Sequence, residues 1–297
     1  MKRKHRLVTL FLAGLMAAFF VTFAIAADDS DDEASATESS DPSRLPEGVV
    51  VLGFGGLVIY FVLRARQGQT YFIRKIPGLE AIDEAIGRAT EMGRPILYCP
   101  GLDTLDEVAT VASMNILGQV AKRVAEYETP LIVPNRDPIV MTVAQEIVRD
   151  AYNSAGRPDL YNEADIYYIT DSQFGYAAAV CGTMVRERPA TNLFFGRFYA
   201  ESLALAETGN MTGAIQIAGT DSDAQIPFFI TACDYTLIGE ELFAGSAYLS
   251  KEPLLIGTIR AQDIAKIAFL ILLVGGSILS YAGILDLRPF LGKWDAP

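Results

Sequence analysis

The sequence predicts an α/β protein of Rossmann-like architecture, a parallel sheet with helices on both faces, flanked by two transmembrane helices. Short apolar runs alternate with longer amphipathic runs through the central part of the chain. That alternation is typical of buried parallel strands joined by crossover helices. Two longer apolar runs, residues 48–64 and 267–285, bracket this central region and have charged residues at their borders. Such runs are typical of membrane spans.

The amino terminus has the pattern of a secretory signal peptide over residues 1–26. A basic start is followed by an apolar stretch that ends in the A-x-A pattern of Ala24 and Ala26. The apolar stretch is long for a signal peptide, so an uncleaved helix is the alternative. Residues 27–47 are acidic and rich in serine, which predicts a disordered linker outside the cytoplasm.

The two predicted spans set the orientation of the chain in the inner (plasma) membrane. Basic residues flank the spans on the side of the central domain, residues 67–265: Arg64, Arg66, Arg74, Lys75, Arg260 and Lys266. The positive-inside rule therefore predicts a cytoplasmic domain and a short tail, residues 286–297, outside. The first span is short, so a buried helix of the central domain is the alternative for it.

Small residues form a strip on one face of the second predicted span. Gly276, Ser280 and Gly283 have the spacing i, i+4 and i+7. Small residues let helices approach closely in lipid. We therefore expect the two spans to pack on each other, or each to pack on a second copy of the chain. The second arrangement would make the protein a homo-oligomer in the bilayer.

The first elements of the central domain follow from local patterns. Apolar residues at helical spacing between Pro77 and Gly93 predict an amphipathic helix. Residues 95–99 read as a buried strand. The capping-box pattern of residues 104–107 predicts the start of the next helix, whose apolar face continues to Val124.

The same alternation continues to the end of the domain. Further strands are predicted at residues 131–133, 166–169 and 214–218, whereas 193–198 and 228–230 fit either a strand or a helix. Asp137 before Pro138, and Asp171 with Ser172, have the pattern of helix N-caps. Asp234 is expected to open a last helix that continues to Ser250.

Several familiar kinds of catalytic and metal site are excluded by composition. The one histidine, His5, lies in the signal segment, which excludes Ser-His-Asp and Cys-His mechanisms and imidazole metal sites from the domain. Cys99, Cys181 and Cys233 have no CxxC spacing and read as free buried thiols. Neither phosphate-binding motif, G-x-x-x-x-G-K-[ST] or G-x-G-x-x-G after a strand, occurs. We therefore assign no metal and leave the cofactor open.

The charge of the chain argues against nucleic acid as a partner. The formal net charge is −12. Binding to phosphates requires a basic surface, and the sequence has no stripe of lysine and arginine residues. The partner that the sequence does predict is the lipid bilayer.

Polar residues collect where the predicted strands end. The candidates are Asp103, Asn135, Arg136, Asp137, Asp171, Ser172 and Asp221, together with Asp234 at the expected start of the last helix. In a parallel sheet these loops share one edge, where ligands bind. One interpretation is a cleft for Mg²⁺, an amine or a polar metabolite. The other is a set of ordinary helix caps.

Three separated runs resemble one family. They are AIGRATEMGRP (residues 85–95), YAESL (199–203) and ACDYTLIGEEL (232–242). They look like an uncharacterised prokaryotic membrane-protein family known only as a domain of unknown function. The resemblance covers residues 71–262 and both spans. It implies a membrane protein with an α/β domain, and it brings no activity and no catalytic residue.

We carry three functional hypotheses from the sequence. The first is a membrane-tethered cytoplasmic α/β scaffold or ligand-sensing domain without catalysis. The second is a carboxylate-based, Mg²⁺-dependent enzyme that acts on a small polar substrate. The third is an accessory subunit of a transport or export complex.

Overall fold

A computed structural model describes residues 45–67, 76–250 and 252–281. It divides into an α/β unit, Phe72–Glu252, and a second unit formed by the helices on either side of it. The predicted signal peptide and the predicted tail lie outside the described residues, as does nearly all of the predicted linker.

The helices and strands alternate along the chain. The helices are α1 (Leu45–Arg66), α2 (Pro77–Met92), α3 (Val108–Glu126), α4 (Pro138–Ser154), α5 (Gln173–Glu187), α6 (Ser202–Met211), α7 (Ile226–Ala232), α8 (Glu240–Ser250) and α9 (Pro253–Tyr281). The strands are β1 (Ile96–Cys99), β2 (Leu131–Asn135), β3 (Ile166–Tyr168), β4 (Thr191–Phe195), β5 (Ile215–Thr220) and β6 (Tyr235–Ile238).

The six strands form one parallel sheet in the order β3-β2-β1-β4-β5-β6. This is the strand order of dinucleotide-binding Rossmann sheets, and it reverses direction between β1 and β4. Cys99 of β1 pairs with Phe194 of β4, so the two central strands end at nearly the same level. The predicted parallel α/β fold is confirmed.

Each face of the sheet has its own apolar core. Ile96 and Tyr98 of β1 lie in a core with residues of α2, α3, α4 and α8. Leu97 and Cys99, which alternate with them, lie in a second core with residues of α5, α6 and α7. Successive side chains of a strand point to opposite faces, so helices cover both sides of the sheet.

Two expectations about the elements were wrong. Asp234 does not open a helix, because residues 235–238 form β6 beside β5 and α8 begins only at Glu240, after Gly239 with φ of 54°. Tyr, Thr and Ile favour an extended strand, which prevails over the capping signal of the aspartate. The capping box at residues 104–107 does not form either. Glu107 precedes α3 without capping it and reaches Arg197 instead.

The helices α1 and α9 pack on each other at two small residues of α9, Gly257 and Ala261. Leu57, Phe61 and Ala261 form a buried apolar cluster. A Cβ atom on Gly257 would lie 2.8 Å from the Cα atom of Val62, so the two backbones approach closely at this glycine. The described contact includes Gly257 and Ala261, and the predicted strip that begins at Gly276 stays a prediction. The side chain of Ser280, and Gly283 as a whole, lie outside the described part.

Within the described residues, one helix is long and apolar enough to cross a membrane, where the sequence predicted two. It is the stretch Pro253–Ile278 of α9, with a mean hydropathy of 1.6. This helix starts well before residue 267, where the second span was predicted to begin. The first predicted span corresponds to α1, a helix of 22 residues.

Candidate functional site

The loops that follow β1 and β4 meet backbone to backbone at the point where the strand order reverses. Gly101 and Gly196 have φ of 88° and 127°. A Cβ atom on Gly196 would lie 2.4 Å from the carbonyl oxygen of Pro100, and one on Gly101 would lie 2.9 Å from the amide nitrogen of Arg197. The N–H of Leu102 donates to the carbonyl oxygen of Arg197 at 2.9 Å. Glycine at both positions therefore allows the loops to meet in the crevice where such sheets bind ligands.

The side chain of Arg197 joins three carboxylates at this edge, two from the loop after β1 and one from the loop after β5. Its Nε and Nη2 atoms donate to the two oxygens of Asp221 at 3.1 and 2.6 Å. Its Nη1 atom donates to Glu107 at 3.0 Å, and the carboxylate of Asp103 lies 3.9 Å from Nε. The hydrogen bonds to Asp221 are the main cause that raises the pKa of Arg197. We call Arg197, Asp103, Glu107 and Asp221 the arginine cluster.

Tyr199 extends the arginine cluster on its exposed side. Its hydroxyl group donates to both oxygens of Asp103, each at 2.9 Å. Burial and the neighbouring Asp103 raise the pKa of Tyr199 above its ordinary value. The phenol is therefore protonated at neutral pH and acts as the donor in this contact.

The carboxylate of Glu201 holds the loop after β4 through hydrogen bonds. This glutamate is only 1% exposed. One of its oxygens accepts from the backbone N–H of Tyr199 at 2.7 Å, and the other accepts from the side-chain amide of Gln173 at the start of α5. A buried carboxylate is costly unless it is hydrogen-bonded, and both oxygens of Glu201 have a donor.

Arg136 links the loops on the other side of β1. Its guanidinium group donates to the carbonyl oxygens of Leu102 at 2.6 Å and Asp171 at 2.7 Å. The neighbouring Asn135 is fully buried, and its side-chain amide donates to the carbonyl oxygen of Val133 at 2.8 Å. Both side chains therefore donate hydrogen bonds to backbone carbonyl oxygens of the protein itself.

Two of the predicted site residues are helix caps. One oxygen of Asp137 accepts from the backbone N–H groups of Ile139 and Val140 at 2.8 and 2.9 Å. The hydroxyl oxygen of Ser172 accepts from the N–H of Gly175 at 3.4 Å, at the start of α5. For these two positions the capping interpretation applies.

The structure brings Asp103 and Asp221 together on Arg197, but it places Asp234 elsewhere. Asp234 accepts from the backbone N–H of Gln216 at 2.8 Å, near the start of β5. That contact lies at the amino edge of the sheet, opposite the arginine cluster. The expected role of Asp234 at the carboxyl edge depended on a helix start that does not exist.

Three central residues of the site, Arg197, Tyr199 and Glu107, were not among the sequence candidates. Residues 193–198 were ambiguous between strand and helix, so the loop after them was not recognised as a strand end. The available signal was Gly196, a turn former directly after the apolar run of β4.

The described residues contain no group of three or more His, Cys, Asp or Glu side chains placed to hold a metal ion. In the arginine cluster the carboxylates of Glu107 and Asp221 bond to Arg197. Cys99 and Cys233 are poor nucleophiles, because burial raises the pKa of each of these thiols to about 12.

A separate cleft lies between the edge strand β3 and α5. Its volume is about 700 Å³, which is in the size range of ligand pockets. Its polar lining comprises Asp165, Tyr167, Thr183, Arg186 and Glu187, among others. None of the predicted site residues lines this cleft.

Comparison with known proteins identifies a family. No curated protein and no solved structure matches the chain. The family model of DUF6754, a domain of unknown function, matches residues 35–289. This match confirms the resemblance to a domain of unknown function seen in the three sequence runs. The chain belongs to the DUF6754 family.

Proposed function

We propose that this protein is an integral membrane protein with two spans, whose α/β domain is a cytoplasmic scaffold or ligand-sensing domain without catalysis. The observation that carries the proposal is the closed crevice between β1 and β4. Ligands of open α/β sheets enter at this point. Here the loops touch, and the donors of Arg197 are directed at Asp221 and Glu107.

The arginine cluster supports a structural role for the carboxylates that the sequence predicted as a cleft. A bidentate pair between arginine and a carboxylate is a strong, geometrically specific contact. It uses one lone pair on each oxygen of Asp221, which leaves fewer for a metal ion or a substrate proton. Arg136 supports the same conclusion, because it bridges two backbone carbonyl oxygens.

The main alternative is the carboxylate-based, Mg²⁺-dependent enzyme. It is favoured by one observation, the convergence of Asp103, Glu107 and Asp221 on one point. The two functions differ in their response to Mg²⁺. A scaffold should unfold at the same temperature with and without the ion, whereas an enzyme site should be stabilised by the ion it binds.

The test is thermal unfolding of the full chain in detergent over a series of MgCl₂ concentrations. We expect no shift in Tm with Mg²⁺ and a lower Tm for Asp221→Asn, since asparagine cannot form a charged pair with Arg197. Asp137→Asn is the matched control, because asparagine caps helices well. A saturable rise in Tm with Mg²⁺ that Asp221→Asn abolishes and Asp137→Asn retains would favour the enzyme.

The proposed membrane topology rests on the apolar helices and on the distribution of basic residues. Arg64 and Arg66 end α1, and the linker before it has few basic residues. The positive-inside rule then places the α/β domain in the cytoplasm. Alkaline carbonate should leave the chain in the membrane, and protease added to right-side-out cells should spare the domain. Release by carbonate would contradict the two spans, and digestion would contradict the orientation.

A further inference from the structure

The cleft beside β3 exists because α5 leaves this edge strand on one face of the sheet. Ile166 of β3 belongs to the core that α4 covers, so Tyr167 lies on the opposite face, towards α5. From β3, α5 leads across β2 and β1 to β4. The cleft of about 700 Å³ lies between α5 and the strand that it leaves. The opening therefore follows from the order of the strands.

Gly182 keeps the wall of the cleft open on the side of α5. It lies in the interior of this helix and lines the cleft. A Cβ atom there would meet nothing within 4 Å, so packing does not require a glycine at this position. Glycine also destabilises the interior of a helix relative to alanine. What the missing side chain provides here is space in the cleft.

Asp165 carries the charge of the cleft that no cation offsets. Arg186, which also lines the cleft, donates from its Nε atom to Glu187 at 2.8 Å, so these two charges offset each other. Among the described residues, the carboxylate of Asp165 has Asn162 as a hydrogen-bond partner and no arginine or lysine as an ion-pair partner. Burial raises the pKa of Asp165, which means that its charge is held at a cost. An acid perturbed in this way, in a cleft, indicates a ligand site.

The polar groups of the α5 wall favour a ligand that donates hydrogen bonds. The hydroxyl group of Thr183 donates to the carbonyl oxygen of Ala179 at 3.1 Å, so its oxygen is the acceptor towards the Tyr167 hydroxyl, 3.5 Å away. The oxygen of Tyr167 then keeps its lone pairs for another donor. In addition, α5 ends at Glu187 in the wall of the cleft, and the carboxyl end of a helix is the negative end of its dipole.

We propose that the cleft between β3 and α5 binds a small organic cation, a protonated amine or a quaternary ammonium group, at Asp165. Tyr167 and Tyr168 also line the cleft, and aromatic rings attract such cations. Ile132 and Ile169 provide an apolar part of the lining for the body of the ligand. A metal ion fits less well, because it prefers several oxygen ligands and the described residues contain no group of three or more acidic, cysteine or histidine side chains for one.

The inference rests on the ligand-sensing form of the proposed function and supplies the class of the ligand. The test is isothermal titration calorimetry of the full chain in detergent with choline and with phenethylamine, after subtraction of the heat of titrating empty micelles. Each cation is compared with an uncharged counterpart of the same size, the carbon isostere of choline and phenylethyl alcohol. We expect saturable binding of at least one cation and binding of its counterpart that is about 10-fold weaker or more.

Two variants locate the site. Asp165→Asn should weaken binding of the cation by about 10-fold or more, since it removes the charge but keeps the size of the side chain. It should fold as stably as the wild type, because the charge it removes is partly buried and has no ion-pair partner in the described part of the chain. Asp150→Asn is the matched control, because Asp150 is exposed on α4 and does not line the cleft; it should bind as the wild type does.

Gly182→Leu fills the cleft without disturbing its wall. It should abolish binding and should raise Tm, because leucine is a better helix former than glycine. Gly87→Leu is its control, since Gly87 is a helical glycine of α2 that also has open space around it. This control should retain binding.

Three results would overturn the assignment: no saturable binding of either cation, equal binding of the uncharged counterparts, or unchanged binding to Asp165→Asn or Gly182→Leu. Each of them leaves the scaffold form of the proposed function in place. A rise in Tm with Mg²⁺ that requires Asp221 contradicts the proposed function instead, and Asp221 does not line this cleft. The two failures are therefore distinguishable.

Discussion

Gly196→Ala should destabilise the α/β domain more than an ordinary glycine substitution. A φ of 127° is a conformation that side chains other than glycine rarely adopt, which costs about 1–3 kcal/mol. The new Cβ atom would also lie 2.4 Å from the carbonyl oxygen of Pro100. Moving the loop to relieve that contact breaks the hydrogen bond between Leu102 and Arg197, worth about 1 kcal/mol. The expected loss is about 3 kcal/mol, or roughly 10 °C in Tm for a domain of this size.

The assay is thermal unfolding of the full chain in detergent, followed by circular dichroism. Gly93→Ala is the matched control, because Gly93 also has a positive φ, 62°, but a Cβ atom there meets nothing within 4 Å. This control should cost only about 1 kcal/mol. If both variants unfold at the same temperature, the two loops do not meet as described, and the closed crevice loses its support.

Three further predictions follow from named contacts. Arg197→Lys should lower the free energy of unfolding by about 1–2 kcal/mol, because lysine cannot form the bidentate pair with Asp221; the urea midpoint measures it. Burial raises the pKa of Cys99 to about 12, so as the pH rises this thiol ionises in the unfolded chain before it ionises in the folded protein. The free energy of unfolding should therefore be unchanged below the ordinary thiol pKa and should fall as the pH rises from about 8.5 towards 12. Urea midpoints between pH 8 and 10.5 should fall less steeply for Cys99→Ala; an equal slope would contradict the assignment. Gly257→Leu should separate α1 from α9, because even a Cβ atom there would lie 2.8 Å from the Cα atom of Val62. A disulfide cross-link between Leu57→Cys and Ala261→Cys should then no longer form. Gly275→Leu is the control and should preserve the cross-link, because a Cβ atom at Gly275 meets nothing within 4 Å.

Patterns within a few residues predicted the local elements correctly. The helix between Pro77 and Gly93 is present, and Gly93 caps it in the left-handed conformation. The run predicted at 95–99 forms β1 from Ile96, residues 131–133 lie in β2, and Asp137 caps the helix after β2. Helical periodicity, caps and turns depend on neighbours within about one turn, so a single sequence contains the information.

The candidate site was predicted only in part. Asp103 and Asp221 were correctly placed at strand ends, because an aspartate after a buried run is a local signal. Their partner Arg197 was not, since its role depends on β4 lying between β1 and β5. Arg197 is 24 residues from Asp221 and 90 from Glu107 in the sequence. No pattern along the chain links positions so far apart.

The sequence by itself determined the fold class, the strands β1, β2, β3 and β5, and the helix cap at Asp137, because each depends on short-range spacing of apolar and polar residues. Only the tertiary structure decided which loops close the crevice and which turn of α9 lies beside α1. Both depend on strand order and on the approach of two backbones, at Gly196 beside Pro100 and at Gly257 beside Val62. A glycine permits such an approach, but its partner is known only once the chain is folded.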